Sequence, residues 1–180
     1  MADDQELNKM ADAACAAEPS SDIPFFGFTG SYPYSIDTKN RLIIPPAFRK
    51  ALGTRFAACP TPDFMFVALY PIEGWVKRRD ELMQLVALDA EAQIYLDKFS
   101  KYSYLDCEMD AQGRTILPQK LRQWRLGDSK EVDVDGAMTH IRILRREDGD
   151  AMDEDFDLKH PNVLRDIAQI QQKQQKEKGE

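Results

Sequence analysis

One segment of this chain is written twice, and that duplication limits the folds open to it. Tyr34 to Gly53 reads YSIDTKNRLIIPPAFRKALG, and seventy-three residues later the chain returns as CEMDAQGRTILPQKLRQWRLG. At that offset Asp37 aligns with Asp110, Arg41 with Arg114, Pro45 with Pro118 and Arg49 with Arg122. The closing pairs, Leu52-Gly53 and Leu126-Gly127, stand one residue further apart, so the second copy carries a single insertion. A period this long, seen only twice, marks a duplicated half-domain and not a solenoid array.

Each copy has the same local logic. Apolar residues (Tyr34, Ile36, then Leu42, Ile43, Ile44) flank the polar turn D-T-K-N-R, which reads as a strand, a tight turn and a strand. Asn40 and Gly113 fall at the same place in the two turns, and both residue types tolerate positive φ. Pro45-Pro46 ends the strand and opens a short helix that closes at Gly53. Phe48 and Leu52 share the buried face of that helix, as Leu121 and Trp124 do in the second copy.

The turn also carries chemistry. Arg41 and Arg114 each present a planar, permanently charged fork that fits phosphate or the O6/N7 edge of guanine. Asp37 and Asp110, four residues earlier, are placed to clamp the arginine across the turn and fix its direction. Lys39 adds a point charge to the first loop, while Gln112 offers an amide at the same position of the second. The residues alone leave two readings open: contact with DNA, or an Asp–Arg brace inside a hairpin.

These motifs resemble a known family. D-x-K-x-R-L-I-I-P with F-R in the next helix, Tyr70-Pro71 with Trp75 behind them, then D-x-Q-G-R-x-I-L-P with L-R, are similar to MraZ. MraZ belongs to the AbrB-like transcription factors, and the resemblance covers roughly residues 27 to 146. It implies a mainly β fold with short helices. Two tandem AbrB-like halves would form a swapped-hairpin β-barrel, with a helical pair between them. It further implies a bacterial regulator that binds double-stranded promoter DNA of the division and cell-wall gene cluster, as a homo-oligomeric ring. Arg41, Arg114 and Lys39 match the motif positions understood to face DNA, and Gln112 stands where a second lysine is expected. Asp37 and Asp110 then orient the arginines, with Asn40 and Gly113 shaping the turns. Asn40 replaces the usual glycine, and Tyr102-Ser103-Tyr104 precedes the second motif where smaller residues are expected.

Net charge is −7, unfavourable for nucleic acid until it is resolved along the chain. Residues 1–22 carry −5 and residues 147–180 another −5, whereas 23–146 carry +3. The duplicated body is mildly basic and the acidity belongs to the ends. Four segments follow. Residues 1–22 read as a disordered acidic extension, and 23–88 as the first repeat with its following helix. Residues 89–146 hold a second helix and the second repeat, and 147–180 an acidic linker and tail. In the tail, 162–178 has a helical stripe of Val163, Ile167 and Ile170. The tail reads as solvated, the alternative being a helix that docks on a neighbour.

Within the body, Ile23 to Phe28 (IPFFGF) reads as a strand edge or plug on the barrel, against a partner-binding hook as the alternative. Arg55–Ala58 and Phe64–Tyr70 are expected strands, and Glu131–Val134 and Met138–Leu144 another pair turning at Asp135-Gly136. One amphipathic helix from Pro71 presents Ile72, Trp75, Val76, Leu82, Met83 and Val86, with Lys77-Arg78-Arg79 as its solvated side. A second over 90–101 is expected to bury Ile94, Tyr95 and Phe99.

No apolar run approaches a membrane span and no signal pattern opens the chain, so a cytoplasmic, nucleoid-associated protein is expected. Cys15, Cys59 and Cys107 are far apart and odd in number, which favours free thiols over disulfides or zinc. His140 and His160 are the only histidines, and neither sits in a nucleophile–base or metal pattern. Asp106, Glu108 and Asp110 alternate along a strand and read as a solvated edge rather than a carboxylate site. No catalytic residue, metal, cofactor or small-molecule substrate is assigned. The rival to DNA binding is an antitoxin-like barrel that binds protein through its acidic tails.

Overall fold

The repeated sequence becomes a repeated set of elements, and neither set closes a sheet by itself. The computed structural model describes residues 27–86, 90–159 and 161–162. The expectations for residues 1–22, for 23–26, for Cys15 and His160, for the side chain of Val86 and for the tail helix beyond Asn162 lie outside these residues.

The first copy supplies β1 (Ser31–Ser35), β2 (Arg41–Ile43), α1 (Pro46–Leu52), β3 (Arg55–Pro60) and β4 (Val67–Pro71). Two helices follow, α2 (Ile72–Val86) and α3 (Ala90–Lys101). The second copy repeats the order with β5 (Tyr104–Glu108), β6 (Arg114–Ile116), α4 (Gln119–Arg125), β7 (Glu131–Gly136) and β8 (Ile141–Arg145). The chain divides into two units, Met1–Arg146 and Glu147–Glu180.

Six strands form an antiparallel sheet in the order β1-β7-β8-β4-β3-β5, and β2 pairs with β6 in a separate ribbon. Exchanging each strand for its copy turns that order into its own reverse. Each half gives its first strand to the other half's hairpin: β1 pairs with β7, and β5 with β3. This is the swapped-hairpin barrel, mainly β with short helices. The turns carry β1 and β5 into the ribbon, through the Asp37 N–H to Arg41 O bond (3.0 Å) and a Met109–Thr115 bridge.

Period-two alternation explains why β3 reads as one apolar run. Phe56 and Ala58 face the barrel interior with Leu42, Ile44, Phe48, Leu52, Leu121, Val134 and Ile143. Ala57 and Cys59 face the other way, onto a second core with Tyr70 of β4 and with Leu82 and Phe99 from the helical pair. A strand covered on both faces has no polar positions to show. Phe28 is a plug: it is buried and meets Phe48 edge-on at 5.5 Å.

Four expectations are corrected. The β7–β8 strands turn at Ala137–His140, not at Asp135-Gly136. Gly136 stays in the strand because the Phe28-Thr29 backbone passes where its Cβ would stand, and Met138 takes the positive φ of 61° instead. In α3, Ile94 is 72% exposed, since Tyr95 and Phe99, four apart, already occupy the inward face. Among the apolar positions of α2, Leu82 is buried but Met83 is exposed; Arg78, expected in solvent, folds onto Glu81 at 3.1 Å.

The acidic stretch expected as a linker is instead a helix, α5 (Arg146–Lys159). Glu147 and Asp148 lie in its first turn, and Lys159 in its last turn pairs with Asp155 at 2.8 Å. Acids at the N-terminus and a cation at the C-terminus both complement the helix dipole.

His140 closes the β7–β8 turn and stacks on Tyr70 at 4.7 Å. Burial, with Arg142 and Arg78 nearby, pushes its pKa from 6.5 down to about 4. The folded chain therefore holds neutral imidazole while the unfolded chain takes up a proton. Stability is full above about pH 6.5 and falls as the pH drops toward 4. Urea unfolding should show that loss, and His140→Gln should remove the part of it belonging to this window.

Candidate nucleic-acid interface

The two D-x-x-x-R turns are built by the same bonds. Asp37 Oδ1 accepts the backbone N–H groups of Lys39 (2.8 Å) and Arg41 (2.9 Å). Its Oδ2 accepts Arg41 Nε and Nη2, both at 2.7 Å. In the second turn Asp110 Oδ1 accepts the N–H groups of Gln112 and Arg114, both at 2.9 Å. Asp110 Oδ2 then accepts Arg114 Nε (2.9 Å) and Nη2 (2.8 Å). Asp suits this position because a short carboxylate reaches back to the N–H two residues on. The chain reverses at Asn40 (φ 59°) and Gly113 (φ 80°), one left-handed conformation served by two residue types.

The clamp sets the protonation of its acids. Burial raises the Asp37 carboxyl, but hydrogen bonds from the Arg41 and Lys39 N–H groups and the Arg41 side chain outweigh it and lower the pKa. Asp110 is lowered too, first by the Arg114 N–H and then by its guanidinium. A depressed carboxylate stays ionised through the ordinary Asp range, so the clamp is lost only as the pH falls through the depressed value. Half-exposed ion pairs add little net stability. What this clamp supplies is direction: it holds the Nε–Nη2 edge and leaves Nη1 outside the carboxylate's grip.

The ribbon places both arginines on one face. In its register Arg41 lies opposite Ile116, and Ile43 opposite Arg114. Leu42 and Thr115 point inward and are buried, while Arg41, Ile43, Arg114 and Ile116 alternate on the outer face. Arg41 and Arg114 are therefore diagonal neighbours on that face. Lys39 and Gln112 stand exposed at equivalent turn positions, one at each end of the ribbon.

No helix among the described residues is long and apolar enough to cross a membrane, and no cluster of His, Cys, Asp and Glu there is suited to a metal ion. Cys59 and Cys107 are buried free thiols, and burial pushes Cys107 up to about 11.

Sequence comparison adds a family to this geometry. Residues 105–154 match the model described as "MraZ protein, putative antitoxin-like". The transcriptional regulator MraZ of Moorella thermoacetica is 39% identical over 66% of this chain and 81% of its own length. That of Desulforamulus reducens is 36% identical over 68% of this chain and 84% of its own. This chain belongs to the MraZ family. That of Alkaliphilus metalliredigens is 31% identical, and the match spans 79% of this chain and 98% of the relative. By these names the MraZ family is one of transcriptional regulators, not enzymes.

The matched stretch contains the second turn, and the internal repeat extends the MraZ reading to the first. Two cations outside the D-x-x-x-R turns themselves also reach them, each from the opposite half. Arg49 of α1 lies over Gly113, where a Cβ would collide with its guanidinium, and its Nε donates to Ile44 O at 2.8 Å. Lys130, just before β7, donates from Nζ to Asn40 Oδ1 at 3.4 Å. Nothing in the local spacing links either to a turn; only the strand exchange brings them there. The Arg49–Arg122 match in the repeat was the available signal, yet Arg122 turns instead to Gly127 O (3.4 Å).

The seat over Gly113 has a measurable consequence. Gly113→Asn keeps a residue that accepts positive φ but displaces Arg49 from Ile44 O. Its cost should be about 0.5–1.5 kcal/mol, the net worth of one hydrogen bond. In an Arg49→Ala background that cost should vanish, as read by a double-mutant cycle of urea unfolding. Equal cost in both backgrounds would mean that Arg49 does not depend on Gly113.

Proposed function

We propose that this chain is a sequence-specific DNA-binding regulator acting on the promoter of the division and cell-wall gene cluster. Its working place is then the cytoplasm, at the nucleoid. The observation that carries the proposal is the pair of like-bonded turns at the two ends of one ribbon. A major groove admits a two-stranded ribbon, and an arginine end held outward matches the guanine O6/N7 edge or a phosphate. The names of the relatives support the same reading.

Arg41 and Arg114 are the base or phosphate contacts in this proposal, Lys39 adds a phosphate contact, and Gln112 reads a base edge. Asp37 and Asp110 orient the arginines, and Asn40 and Gly113 shape the turns. One subunit has only two turns on a mildly basic body, too little for tight binding. A homo-oligomeric ring multiplies the turns at fixed spacing, so affinity comes from multivalent engagement of promoter repeats.

A second reading is favoured by the family description, which calls the MraZ protein antitoxin-like. Ile116, 61% exposed between the arginines, would then belong to a protein interface. The clamps would be braces. Salt separates the two, because phosphate contacts release counterions and an apolar interface does not.

The experiment is fluorescence anisotropy on a duplex from immediately upstream of this protein's own gene, at two salt concentrations, with light scattering under the same conditions. Wild type should bind in a saturable, salt-sensitive manner at a mass above one monomer. Each of Arg41→Ala and Arg114→Ala should cost about 1–3 kcal/mol per site and relax preference at one base pair. Binding indifferent to both arginines would reduce the turns to braces, and a monomeric mass would remove the ring.

A further inference from the structure

The two turns share their clamp but not their surroundings, and the difference is chemical. At the first turn Lys39 stands exposed at the tip, and Lys130 arrives from the second half to hold Asn40. Neither ammonium has a carboxylate within ion-pair distance among the described residues. At the second turn the tip is neutral Gln112. The visiting cation there, Arg49, is tied down to Ile44 O. The outer face of the ribbon opens into a cleft lined by both Arg41 and Arg114, by Lys120, and by Asp106 and Glu108 of β5. The positions of β1 that correspond to these two acids are Pro33 and Ser35.

We infer that Lys130, a residue outside the motif, is a phosphate-binding residue that pairs with Lys39 at the first turn. The two turns then differ in their accessory contacts: Lys39 and Lys130 anchor the DNA backbone beside Arg41 at the first, and Gln112 reads a base edge beside Arg114 at the second. This inference rests on the DNA-binding proposal above. Asn40 explains the placement. Where Gly113 has no side chain, Asn40 offers its Oδ1, which accepts from Lys130 Nζ at 3.4 Å and holds it at the turn.

A backbone contact and a base contact leave different marks on binding. Each phosphate neutralised contributes about −0.9 to the slope of log K against log salt, independent of sequence. A base-edge contact changes the ranking of sequences and leaves that slope alone.

The test titrates the full chain with the upstream duplex and with a scrambled duplex, across a series of salt concentrations. Lys130→Gln should weaken binding to both duplexes by a similar factor and flatten the slope by about one for each engaged turn. Lys130→Arg should restore both, which a purely structural role for the Asn40 contact would not require. Gln112→Ala should shrink the preference for the upstream duplex at unchanged slope. Thermal unfolding of each variant separates loss of binding from loss of fold. Wild-type binding that falls with salt and needs Arg41, together with an unchanged slope in Lys130→Gln, would overturn this inference alone. Wild type that binds neither duplex would overturn the DNA-binding proposal beneath it.

Discussion

The exchange of strands between halves is the constraint on which the rest of this molecule depends. β1 finds its partner in β7, and β5 finds its partner in β3, so each half completes the other's sheet. The ribbon of β2 and β6 exists only because both halves send one three-residue strand to the same place. Strands that short have little stability alone. Buried Leu42 and Thr115 fasten the ribbon to the barrel, and the clamped turns close its two ends. The outward display of the arginines is thus a product of long-range pairing, although every bond inside a turn is local.

That distinction sets what could be read from the chain. The turn was legible because it is local: an Asp, a residue tolerant of positive φ and an Arg, all within five positions. The short helices after Pro45 and Pro118 were legible for the same reason, with Pro marking each entrance. The duplication marked a half-domain present twice, and the barrel class came from the resemblance to MraZ. What stayed hidden was who meets whom across the exchange. Lys130 and Asn40 are 90 residues apart in sequence. Arg49 over Gly113 is a contact between halves that no spacing rule describes. Gly136 misled for a related reason: Asp-Gly is a strong turn signal, but here the glycine clears a path for the Phe28-Thr29 backbone. Composition misled at α5, where acidity suggested a linker and the order of charges favoured a helix.

The clamp illustrates how a weak interaction has a strong structural effect. An exposed carboxylate–guanidinium pair contributes little net folding energy, because water solvates the separated ions almost as well. Here each carboxylate also binds two backbone N–H groups, so the side chain that closes the turn is the one that aims the arginine. The guanidinium is fixed before any ligand arrives. A contact made by a pre-set side chain does not spend its energy on ordering that side chain.

Asn40 against Gly113 is a small difference inside a near-perfect exchange, and it gives the barrel a heading. A body with true two-fold symmetry would present the same ends to a duplex in either orientation. With Lys39 and Lys130 at one end of the ribbon and neutral Gln112 at the other, the two orientations are different chemical events. Under the DNA-binding proposal, such a body would match sites written in one direction rather than palindromes. Copies set around a ring with the same hand would all travel the same way along the strand.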